Sequence, residues 1–245
     1  MNNAVARILL GTCLVLHLSA AETFTTAPIK EIADGRLQMG TVTVDPKSKT
    51  ITFPAVVNMN AGMVEYLLVT TTGKVHESLL RTDAEPYHIH AAMLLLGFKV
   101  PTNAEPSAFF DAKREIPGRK LKIEVKTSVE NSSAEPIQTF LAFASAKAPV
   151  KTNDIPAWIY NGSRFAEPAA PGAGPISAKP VDGIPTEAAK VFLAQKEGSI
   201  VSLIADPAAL INNSRPDREN DELWILHTPA IPAINTPVQV TITLL

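Results

Sequence analysis

At 245 residues, 46% of them hydrophobic and with a mean hydropathy of +0.11, the chain is long enough to bury a core of its own. Its formal net charge of -2 provides no basic field for nucleic acid or an anionic membrane surface, so neither is expected as a partner. The single cysteine, Cys13, excludes an internal disulfide framework.

Residues 1–21 read as a secretory signal peptide: MNNAVAR carries one positive charge, ILLGTCLVLHL is apolar, and SAA precedes Glu22. The apolar run is shorter than the roughly 20 residues that span a bilayer. Export to the periplasm or the extracellular space is therefore the expectation, with Cys13 discarded and no membrane span left. A mature chain without thiols has no thiolate metal site and no Cys nucleophile.

After a lead-in over 22–36, Val42 and Val44, then Ile51 and Phe53, flank the turn Asp45-Pro46-Lys47-Ser48-Lys49, the pattern of a β-hairpin. The next stretch, GMVEYLLVTTTGKVHESLLRTDAEPYHIHAAMLLLG over 62–97, reads as strand, turn at Thr72-Gly73-Lys74, strand, and a helix begun by Pro86 and stopped by Gly97. Treated as a two-residue hairpin, it places Glu65, Leu67 and Val69 on the side of His76, Ser78 and Leu80, with Glu77 opposite. Leu121, Ile123 and Val125, a polar turn, and Ile137, Leu141 and Phe143 suggest another hairpin. From Ala166 to Pro185 the composition shifts to Ala, Gly and Pro, which reads as a loop. Asp206-Pro207 opens a short helix near 206–212, the charges at 217–222 read as a solvated loop, and Val238 to Leu244 alternate as a final strand tied into a sheet. The expected fold is mainly β (α+β), with antiparallel, sandwich-like sheets, a main helix near 86–97 and a short one near 206–212.

The candidate chemistry lies in the 62–97 stretch. His76 and Glu77 form a possible acid-base pair, with Glu65 orienting the imidazole. His76, His88 and His90 are a possible metal set, since three imidazoles and a water suit zinc or a similar divalent ion. On a helix, however, residues two apart sit on different faces, so Pro86 should split His88 from His90. No nucleophile elbow, phosphate loop or dinucleotide fingerprint occurs, and no other cofactor is expected. Trp158 and Tyr160 would share one face of a strand, either as a ligand platform or as core.

The 62–97 stretch, WIYNGSRF at 158–165 and GSIVSLIADPAALINN at 198–213 together resemble the YdjY-type domains of bacteria. The resemblance covers most of 37–245 and implies one domain there. The reading is an exported binding or accessory module for an unknown small molecule or protein. The alternative is a metal-dependent enzyme or metal-binding protein built on His76, His88 and His90.

Overall fold

β-branched and aromatic residues alternate with polar ones through much of the chain, and such side chains pack best on a pleated, half-buried surface. The computed structural model describes residues 28–101, 105–128, 132–155, 157–166 and 190–245. The expected leader, and all but the first residue of the 166–185 loop, lie outside the described residues.

Strands dominate, as expected, but the sheet closes on itself. Thr50–Val57, Pro237–Leu244, Arg119–Thr127, Trp158–Tyr160, Ile211–Asn213, Ser199–Ser202, Tyr66–Thr70 and Ser78–Thr82 follow one another as bonded neighbours. The last returns to the first through Val56↔Arg81 and Val57↔Leu80. The architecture is thus barrel-like rather than the expected sandwich, and closure removes the exposed edges that an open sheet would leave. Val42–Asp45, Leu37–Met39 and Lys30–Glu31 extend the sheet outward from Thr50–Val57. The expected first hairpin is present, with Val44 opposite Ile51. The closing strand is bonded on both edges, Val240 facing Phe53 on one side and Val125 on the other. Ile51, Phe53, Ile123, Val125, Val240 and Ile242 are all buried, so one face of these strands forms the core.

Three local expectations are corrected. The Arg119–Thr127 strand pairs with Ala134–Pro136, but Ile137–Phe140 is a 3-10 turn, and Leu141–Phe143 pairs with Trp224–Leu226 in a separate three-stranded sheet. The segment after Asp206 is a turn, not a helix. Asp206 Oδ1 accepts from the N–H of Ala208, and the Asn212 amide both accepts from Asp206 N–H and donates to Asp206 O, closing the loop before the Ile211–Asn213 strand. The second α-helix among the described residues is Leu193–Glu197.

The third correction matters most. Tyr66–Thr70 and Ser78–Thr82 run parallel, with Tyr66 beside Ser78 and Leu68 beside Leu80, so the Thr72-Gly73-Lys74 turn does not form a hairpin. Residues 71–77 double back along the strand instead. A turn closes with Gly73 N–H donating to Thr70 O, and Asn58 Nδ2 pins the return by donating to the carbonyls of Val75 and Ser78. This register sets Glu65 beside Glu77, whose carbonyl accepts from Glu65 N–H at 3.0 Å, not beside His76.

The main helix, Pro86–Leu95, forms where Pro86 and Gly97 place it. Gly97 (φ 83°) turns the chain left-handed, its N–H donates to Leu94 O, and Phe98 N–H donates to Met93 O. Phe98 and Met93 are both buried in the main core cluster, in keeping with this kind of helix stop.

Candidate functional site

The ring contains two short parallel returns. One is residues 71–77, and the other is residues 203–210, which join the parallel strands Ser199–Ser202 and Ile211–Asn213. A parallel pair normally needs a longer crossover, so both returns rely on side-chain ties. Lys74 and Asp206, one from each return, meet at Tyr66. The buried Tyr66 hydroxyl donates to Asp206 Oδ2 at 3.0 Å and accepts from Lys74 Nζ, which also lies 4.6 Å from the centre of the Tyr66 ring. Burial, and then the Asp206 carboxylate, hold the Tyr66 hydroxyl far above its ordinary pKa, so it stays protonated and serves as a donor rather than a base. Asn212 Nδ2 donates to Asn161 Oδ1, and Asn161 Nδ2 to Ala209 O, both at 2.9 Å. Ser163 Oγ donates to Ala208 O and accepts from Ala194 N–H. The three segments GKVHES, WIYNGS and DPAALINN are thereby stitched together at one place.

A family model for the YdjY domain matches residues 42–243. The chain belongs to the YdjY domain family. No curated protein and no solved structure matches it.

Around the YdjY junction, Glu65, His76 and Glu77 form an accessible rim. His76 is 78% exposed at its side chain, and its Nε2 lies 3.6 Å from Glu77 Oε2. Partial burial raises the pKa of the Glu65 carboxyl, and the neighbouring Glu77 and Asp221 push it the same way. Lys74 and His76 pull it back down. This rim can engage a hydrogen-bond donor through its carboxylates.

The other candidates lie elsewhere. His88 and His90 are both buried, and the helix splits them as its period requires. The His88 ring lies against Gly40 and is 3.9 Å from Glu85, whereas His90 Nδ1 lies 2.9 Å from the Tyr160 hydroxyl with its ring beside Phe192. Among the described residues no group of three or more His, Cys, Asp or Glu side chains is arranged to hold a metal ion. Trp158 and Tyr160 do share a face, and it is the one turned to the main core, where Trp158 Nε1 donates to Gln138 Oε1. Sequence reasoning missed Tyr66, Lys74 and Asp206 as a unit. The usable signal was a tyrosine and paired asparagines within apolar runs, polar groups that must find partners once buried.

His90 gives the domain a specific acid response. Burial lowers its pKa from 6.5 to about 4, so the folded state holds the ring neutral while the unfolded chain takes a proton below 6.5. The stability this group contributes is therefore complete above pH 6.5 and is lost as pH falls toward 4. The loss is on the order of 3 kcal/mol, from 1.36 kcal/mol per pKa unit. Melting curves over that range should show a steeper acid decline in the parent protein than in a His90→Gln variant. Superimposable declines would contradict the burial of a neutral imidazole.

Proposed function

We propose that this YdjY domain works outside the cytoplasm as a binding or accessory module, offering the Glu65, His76 and Glu77 rim to a small-molecule or protein partner. One observation carries the reading. At the junction of the three sequence segments, the buried groups Tyr66, Asp206, Asn161 and Asn212 bond to one another, which makes them structural, while Glu65, His76 and Glu77 form an accessible polar rim. A leader-like start followed by a chain without cysteine supports the place of action. The rival reading, a metal-dependent enzyme or metal-binding protein using His76, His88 and His90, is separated from this one by metal content.

Cell fractionation with intact-mass measurement tests the location. The exported protein should begin at Ala21 or Glu22. Recovery of the full-length chain from the cytoplasm would overturn export.

A further inference from the structure

Strand periodicity sends Trp158 and Tyr160 into the core and turns Ala157 and Ile159 the other way. On that outer side Phe109, Ile116, Ala157 and Ile159 form a buried apolar cluster separate from the main core, with Ala205 packed against it. A cleft of about 230 Å³ opens over it, with Ile116, Ala157 and Ile159 as its apolar floor and Glu115, Lys120 and Ser214 among its polar lining. Such a volume falls below the roughly 300–1,000 Å³ of pockets for drug-sized ligands, so the occupant must be small.

One wall is fixed by a buried charge. Arg218 is 1% exposed, and its guanidinium donates to the carbonyls of Phe109 (2.7 Å), Ala108 (3.0 Å), Asp111 (2.7 Å), Arg114 (2.8 Å) and Arg215 (2.9 Å). The segment leading into Glu115 and Ile116 is thereby clamped before any ligand arrives, which reduces the ordering cost of binding. Among the described residues neither Glu115 nor Lys120 is in an ion pair. Ser214 Oγ accepts from Ala157 N–H and keeps its own O–H to donate. The cleft thus offers a carboxylate for an ammonium group, an ammonium and a hydroxyl for a carboxylate, and an aliphatic floor.

We infer that this cleft binds a small zwitterion, an α-amino acid with an aliphatic side chain. The inference deepens the binding-module reading and rests on it, using residues other than the rim.

Calorimetric titration of the purified protein with L-leucine tests it. Saturable binding is expected with Kd at or below about 1 mM, weakened at least tenfold for L-leucinamide and N-acetyl-L-leucine, which each lack one charge. The substitutions Glu115→Gln and Lys120→Gln, both at exposed positions, should weaken leucine to the same extent without moving the melting temperature. No saturable heat with L-leucine, L-valine or L-alanine up to about 10 mM, or leucine binding unchanged by both substitutions, would overturn the inference. Either result would leave the binding-module reading intact, because the cleft does not include Glu65, His76 or Glu77.

Discussion

An Arg218→Met variant should lose about 3–5 kcal/mol of stability, because a buried acceptor left without its partner costs about 1–3 kcal/mol and several are stranded at once. For a domain of this size that corresponds to a fall in melting temperature of roughly 10 °C. Methionine keeps the aliphatic stem but lacks the three terminal atoms of the guanidinium, so a small cavity adds to the loss. The larger part comes from five backbone carbonyls that lose the Arg218 donor in a site that is 1% exposed. Arg218→Lys should fall between the two, since an ammonium keeps the charge but cannot spread its donors as the planar guanidinium does. Urea unfolding of the three proteins measures this. A methionine variant within about 1 kcal/mol of the parent would show that the 108–114 segment is held by something else.

A Gly198→Ala substitution should be nearly as damaging, for a different reason. Gly198 has φ 70° and its carbonyl accepts from Thr70 N–H, so it anchors the start of the 71–77 return. A Cβ there would lie 2.2 Å from Thr70 Oγ1 and 2.8 Å from Gly73 Cα. The hydroxyl can rotate away, but the Gly73 backbone cannot move without disturbing the return. The left-handed conformation costs about 1–2 kcal/mol for a residue with a side chain, and the overlap adds roughly 1–3 kcal/mol. Gly97→Ala is the control, because Gly97 also has a positive φ but nothing lies within 4 Å of its Cβ position. Only the backbone cost should appear there. Equal losses in the two variants would mean that the two glycine backbones are not in contact.

Elements set by local chemistry were legible. The hairpin through Asp45 to Lys49, the helix between Pro86 and Gly97 and the closing strand all follow from turn residues and alternation within a few positions. Long-range features were not. A two-residue turn at Thr72-Gly73-Lys74 and a doubling-back loop look alike locally, and the Asn58 side chain that decides between them lies just past the end of the Thr50–Val57 strand. Closure depends on Val57 reaching Leu80, and the junction depends on Tyr66 reaching Asp206, 140 residues away. Arg218 was hidden in what reads as a solvated charged loop, because its partners are carbonyls, which carry no signature in the sequence. Arg215, just before that stretch, forms a bidentate ion pair with Asp217, and its guanidinium lies over the Trp224 ring.

Metal content of the purified protein, measured by elemental mass spectrometry on the parent and on His76→Ala, tests the central claim most directly. His76 is exposed, so its removal leaves the fold intact, whereas His88→Ala and His90→Ala disturb buried packing and serve as secondary checks. A binding module that works through its rim predicts metal well below one equivalent, unchanged by the substitution. One equivalent of zinc or another divalent ion in the parent, lost in His76→Ala and in both helix variants, would contradict it.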